Sequence, residues 1–288
     1  MNAAPDSTVP GAEFRLSNRE SLPEFDLVLP HPDRSPTVTA LLRVKDEERK
    51  LEPCLLSIIE VFDELVLVDN GSTDSTVEIA RALAARHDAE GRLRIVSYPH
   101  TLARYGPEHD ATPEDSVHSL VYFNNFGLSH CRSKYVCKWD GDMVLRRRAR
   151  GAFLRLLARI ARVSNECWKL KGQTVYRDLS GDYFEARGEV NKEVMMFPNE
   201  LEYRFGKYEH WEGIGRAPDA RVRTLRPVCF YELKYAEEDE FSHWSTGEFP
   251  SDRKRREWEN FQAVKEGDTG SRRRFRPLPR DFLDRQVQ

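Results

Sequence analysis

Asp140-Gly141-Asp142 is the segment whose residue types and spacing are most suited to chemistry. It directly follows Tyr135–Trp139 (YVCKW), an apolar run of strand length. On extended backbone, residues i and i+2 project to the same side, so the two carboxylates converge where the strand ends. Like charges so placed raise each other's pKa unless a cation sits between them. A divalent ion resolves that conflict, and oxygen ligands select magnesium or manganese. Magnesium is typically held by one or two carboxylates plus substrate phosphates, which makes a diphosphate the natural remaining ligand. An Asp-x-Asp also serves in ordinary solvated turns, so its reading rests on what surrounds it.

The elements that must position these carboxylates are legible upstream. Thr37–Val44 (TVTALLRV) is a β-rich apolar run suited to a sheet buried on both faces. Leu51, Leu55, Ile58, Ile59 and Phe62 recur at helical spacing and predict a helix over 47–62. Leu65–Val68 is a second buried strand, ending at Asp69-Asn70-Gly71-Ser72. A helix capped by Thr73 or Asp74 follows, then a third strand over Leu93–Ser97. This β-α-β-α-β order is the signature of a parallel sheet with crossover helices, and such sheets place ligands at their carboxyl edge. A helix over 116–131 and the strand Tyr135–Trp139 continue it, followed by a helix over Arg148–Val163. The remainder reads as aromatic-rich strand pieces, a helix over Ser251–Lys265 and an Arg- and Pro-rich tail. No G-x-G-x-x-G and no G-x-x-x-x-G-K-[ST] occurs, which argues against a dinucleotide fold or a P-loop.

Three segments in register, VKDEERKLEPCLLSI, LVLVDNGSTDST and YFNNFGLSHCRSKYVCKWDGDMVL, resemble the nucleotide-sugar glycosyltransferases of family 2 with a GT-A fold. Asp46-Glu47-Glu48 stands where that family has N-E-E, Asp69–Thr76 matches its V-D-[DN]-G-S-T-D-x-T, and Asn125-Phe126-Gly127-Leu128 matches its R-N-x-G-L helix. The resemblance covers about residues 37–150. It implies an α/β fold of GT-A type, a Rossmann-like, mostly parallel central sheet flanked by helices, with an aromatic-rich mixed α+β acceptor half. It implies that Asp69 accepts a hydrogen bond from the donor's base, with Arg43 and Asp46 lining the same pocket and Asn125 ordering it. Asp140 would lie near the ribose and the metal, and Asp142 would ligate the metal directly. The implied reaction is transfer of a sugar from a nucleoside-diphosphate sugar to the hydroxyl of a carbohydrate or glycoconjugate acceptor, with inversion. Asp46 departs from the family's Asn.

The acceptor half offers two places for a base. In Tyr208-Glu209-His210-Trp211-Glu212, His210 is a candidate third metal ligand, since imidazole joins carboxylates around a transition metal. Glu212 is a candidate general base for the acceptor hydroxyl; the family usually sets His and Glu side by side, and here Trp211 intervenes. Glu237-Glu238-Asp239-Glu240, before His243-Trp244, is either a solvated turn or the seat of the base, Asp239, with His243 on the metal. Two other classes compete with a transferase: a non-catalytic nucleotide-sugar binder or scaffold, and a nucleotidyltransferase. The latter would carry a Gly-rich basic loop where this chain reads Asp46-Glu47-Glu48-Arg49.

Charged residues make up 32% of the 288 and mean hydropathy is −0.66, which excludes a membrane-embedded chain. Met1–Gly11 lacks the basic flank and apolar stretch of a secretory signal. Five cysteines without a C-x-x-C pair read as reduced thiols of a cytoplasmic protein. Net charge is −3, and no RNA-binding motif accompanies the basic runs, so nucleic acid is not an expected partner. Arg146-Arg147-Arg148-Ala149-Arg150 and the tail from Ser251, with 11 basic and 7 acidic side chains, are nonetheless locally basic. They read either as solvated faces or as peripheral contacts with the anionic inner face of a membrane. The expected layout is an extended arm over 1–36, a catalytic domain over 37–250 and a helix with a basic tail over 251–288. Within the domain, 37–145 is the nucleotide-sugar half and 146–250 the acceptor half.

Overall fold

The computed structural model describes residues 14–31, 34–88, 90–160, 162–163, 165–208, 211–238, 241, 251–271 and 273–287. It opens with β1 (Phe14–Leu16) and β2 (Leu27–Leu29), then β3 (Ser35–Val44), α1 (Leu51–Ile58), β4 (Glu64–Asp69), α2 (Thr76–His87) and β5 (Leu93–Ser97). A loop with the short α3 (Pro107–Ala111) leads to α4 (Leu120–Ser129), β6 (Ser133–Asp140), β7 (Met143–Leu145) and α5 (Arg147–Ile160). The second half comprises β8 (Glu166–Arg177), β9 (Tyr183–Pro198), β10 (Phe205–Tyr208), β11 (Trp211–Ile214), β12 (Arg221–Thr224) and β13 (Phe230–Tyr235). The chain closes with α6 (Asp252–Lys265), β14 (Phe275–Leu278) and α7 (Asp284–Val287).

The central sheet runs β5-β4-β3-β6-β9-β8-β13-β7, with β12 added to β8 and β14 to β9. Its first four strands are mutually parallel, as the alternation of strand and helix predicts. β9 enters antiparallel to both β6 and β8, so the fold is mixed α/β with a mostly parallel sheet. β3 is buried on both faces, and successive residues pack into different cores. Leu42 and Ala40 join Cys54, Leu55 and Phe153 from α1 and α5, while Leu41 joins Tyr122 and Phe126 of α4. Gly127 lets α4 lie close on β3, because a Cβ there would sit 2.9 Å from a Leu41 methyl.

The described parts of the arm and of the tail are more integrated than their composition suggests. Over 14–29 the arm is folded onto the domain: β1 pairs antiparallel with β2, and Leu27 and Leu29 are buried beside α4. Burying such a leucine is worth about 1.5–3 kcal/mol, which outweighs the proline-rich local signal. Likewise β14 pairs antiparallel with β9, and Phe275 and Phe282 are buried in two small cores with α6 and β13. The helices are shorter than their apolar periodicity, with α1 covering only part of 47–62, because the flanking apolar residues also serve turns. The stretch 221–235 divides into two strands, β12 and β13.

Candidate functional site

The carboxyl ends of β3, β4 and β6 meet where the strand order reverses, the crevice in which open α/β sheets bind ligands. Parallel register sets Arg43 directly beside Asp140 and Val44 beside Asp69. The Arg43 guanidinium donates to Asp140 Oδ1 at 2.5 Å and to Asn124 Oδ1 at 2.5 Å. Burial pushes the Asp140 carboxyl up, but Arg43, with Lys138 and Lys234 nearby, holds it down at about 2. The same carboxylate raises the Arg43 pKa, so the pair stays ionised.

Asp142 leaves the strand in a different environment. It is buried, and Lys234 of β13 donates to its Oδ2 at 2.8 Å while also lying 3.3 Å from Glu232. Gly141 permits the turn between the two aspartates, since a Cβ there would come within 2.8 Å of Val44. As donors, the two carboxylates fit magnesium or manganese: both are hard oxygen ligands, and Asp140 keeps about a third of its side chain exposed. Among the described residues no set of three His, Cys, Asp or Glu side chains converges on one point. His210 and Asp239, with His243, lie outside the described residues.

Glu212 on β11 completes the described cluster. Its Oε1 accepts from Tyr105 Oη and Asn124 Nδ2, each at 3.4 Å, and stands 3.8 Å from Arg43. Its Oε2 is buried and has no partner among the described residues. Burial, with Glu212 alongside, pushes the Tyr105 phenol well above its ordinary pKa, so it is a donor here. Glu212 also lines a cavity of about 340 Å³ with Lys138, Lys169, Glu193 and Arg216 on its walls and the exposed Tyr208 at its side.

Asp69 is buried and accepts from the Ser72 N–H at 3.1 Å, closing the turn after β4. Asp46 sits at φ 53° and is spent on the neighbouring loop: the Thr73 N–H donates to its Oδ1 at 2.7 Å. Glu47 and Glu48 continue that clamp through their N–H groups, to Thr76 Oγ1 at 2.7 Å and Asp74 Oδ2 at 3.0 Å. The acidic triplet and the D-N-G-S-T-D-S-T motif therefore hold each other in shape. Asn125 faces away from the crevice: it exchanges hydrogen bonds with both backbone groups of Phe205, at 2.8 and 2.9 Å. Its neighbour Asn124, together with Tyr105, Lys138 and Lys234, forms the part of the site that sequence reading passes over. Only Lys138 had a signal, two residues before Asp140 on the same strand face.

Residues 40–104 match the family model described as Glycosyl transferase family 2. No curated protein matches the chain. Among solved structures, TarS 1–349 of S. aureus is 13% identical over 68% of this chain and 60% of its own, with a TM-score of 0.40. Glucosyl-3-phosphoglycerate synthase from Mycobacterium tuberculosis, solved with Mn2+, UDP-glucose and phosphoglyceric acid, is 20% identical over 49% of this chain and 44% of its own, with a TM-score of 0.30. The mannosyltransferase PcManGT from Pyrobaculum calidifontis, with GDP-Man and Mn2+, is 23% identical over 51% of this chain and 38% of its own, with a TM-score of 0.32. The chain thus spans 60% of the TarS fragment and less than half of the other two.

Proposed function

We propose that this chain, whose residues 40–104 are a glycosyl transferase family 2 segment within a GT-A-type α/β fold, moves a sugar from a nucleoside-diphosphate sugar to an acceptor hydroxyl. Glu212 carries the reading. One of its oxygens is held by Tyr105 and Asn124, and the other is buried, without a partner among the described residues, on a side chain that lines a cavity. A general base needs that combination: a fixed carboxylate and one lone pair reserved for the substrate's proton. The acceptor oxygen attacks the anomeric carbon as its proton passes to Glu212 Oε2. The bond from that carbon to the diphosphate oxygen breaks, and attack from the opposite face inverts the centre.

Arg43, Lys138 and Lys234, gathered around Asp140, offset the charge that develops on the departing diphosphate. Asp69, at the end of β4, is assigned the donor's base. Asp140 and Asp142 are the residues that would hold a divalent cation, which would supply Lewis-acid neutralisation of the diphosphate. The compartment we propose is the cytoplasm, in keeping with five free, buried cysteines. No helix among the described residues is long and apolar enough to cross a membrane.

Glu212→Gln tests the central assignment. Transfer should fall by roughly 10²–10⁴ while the nucleotide sugar still raises the melting temperature. Undiminished transfer would remove Glu212 as the base. A thermal-shift panel of UDP-, GDP-, dTDP- and CMP-sugars, with and without manganese, identifies the donor. A uniform absence of shift would overturn the nucleotide-sugar reading itself.

A further inference from the structure

A second concave site lies on the other face of β13. Alternation along that strand sends Glu232 and Lys234 toward Asp142, and Tyr231, Leu233 and Tyr235 to the opposite side. There a cavity of about 400 Å³ is lined by Arg146, Arg147, Arg148, Arg276 and Arg285, and among the described residues no acidic side chain lines it. Arginines of the Arg146–Arg150 run and two arginines of the tail, more than a hundred residues apart in sequence, meet here. Arg276 is paired with Glu185 at 2.5 Å and Arg285 with Asp281 at 2.9 Å. Among the described residues, no carboxylate pairs with Arg146, Arg147 or Arg148.

The site is organised as well as charged. The Arg146 guanidinium lies 4.7 Å from the centre of the largely buried Tyr231 ring, which fixes it at the cavity wall. α5, a helix of 14 residues, starts at this rim with no acidic residue in its first turn. Gln286 of α7 accepts from the Arg147 N–H at 3.2 Å, tying the tail to the helix start. Gathered guanidinium groups repel one another, and a helix N-terminus adds partial positive charge. An anion with several phosphate oxygens relieves both, because guanidinium groups bind phosphate bidentately.

We propose that this arginine-lined cavity is a binding site for a polyanionic phosphate, either a soluble oligophosphate or the headgroup of an anionic lipid. The test uses the full chain. Calorimetry with inorganic tripolyphosphate should show saturable binding that weakens with added salt. Co-sedimentation with phosphatidylcholine vesicles, with and without phosphatidic acid, whose phosphomonoester can carry two charges, forms the second arm. The double variant Arg147→Glu, Arg148→Glu should weaken whichever binding occurs by about a hundredfold. Glutamate is favourable in the first turn of a helix, so the variant keeps its fold, checked by its melting temperature. Tripolyphosphate binding alone supports the site and assigns it a soluble ligand. Preferential sedimentation with anionic vesicles supports it and assigns the headgroup. Failure of the native protein to bind either, or binding unchanged in the variant, overturns the proposal.

Discussion

Lys234 has two carboxylates within reach, Asp142 at 2.8 Å and Glu232 at 3.3 Å, and both it and Asp142 are almost wholly buried. Removing one member of a buried ion pair costs about 3–5 kcal/mol, because the charge left behind is neither solvated nor compensated. Lys234→Met should therefore lower stability by that order in urea denaturation. Manganese then becomes a discriminating reagent. If Asp142 is a metal ligand, the ion takes over the place of the ammonium and stabilises the variant more than the native protein. Equal stabilisation of the two proteins would mean that Asp142 is not a metal ligand. Asp140 offers a separate titration. Its folded pKa of about 2 lies below the ordinary 3.8, so the Arg43 pair contributes stability that is complete above about pH 4 and lost as the pH falls toward 2. The stability difference between native protein and Asp140→Asn should close across that window and stay constant above it.

The β10–β11 hairpin carries Glu212, and Asn125 is what fastens it to α4. Register places Glu212 opposite Lys207, two residues from the Phe205 backbone that Asn125 grips by both its N–H and C=O. Asn125→Ala strands two buried backbone groups and should cost roughly 2–4 kcal/mol. Because the hairpin loosens, transfer should fall while nucleotide binding at the β3–β4–β6 edge is kept; loss of both together would argue against a positioning role. The adjacent asparagines also show how far sequence could reach. Strand-helix alternation, the D-N-G-S-T-D-S-T turn and Asp140-Gly141-Asp142 were legible because they are local, set by periodicity and turn chemistry. Which of Asn124 and Asn125 enters the crevice depends on the rotation of α4 on β3, and that is fixed by Gly127 against Leu41 and by Phe126 in the core. The pairing of Lys234 with Asp142 depends on β13 lying antiparallel to β7, a contact across some ninety residues that no local pattern announces.

At the scale of the whole molecule, the folded arm, α4 and the edge of the sheet share one response to acid. His100 lies against the Phe25 ring at 4.4 Å and His130 against Phe126 at 4.7 Å, both beside the core that unites these elements. Burial depresses both imidazoles, aided by His118 at the first; at the second, Arg94, His31 and Arg132 help bring the pKa to about 4. A histidine whose folded pKa lies below its unfolded value of 6.5 binds fewer protons in the native state between the two. Its contribution is therefore complete above about pH 6.5 and lost as the pH falls toward 4, for His130 on the order of 2 kcal/mol after allowance for its partial exposure. The Asp140 pair is untouched in that range and gives way only below it. Acid should consequently destabilise the protein in two separable stages, an imidazole stage from about pH 6.5 to 4 and a carboxylate stage beneath it. Urea midpoints measured across pH distinguish them: His130→Gln should reduce the upper stage and leave the lower, and Asp140→Asn should leave the upper and reduce the lower, to which Asp74 and Glu166, also held below the ordinary carboxylate range, contribute as well. A single transition that moves equally in both variants would show that the two sites titrate as one.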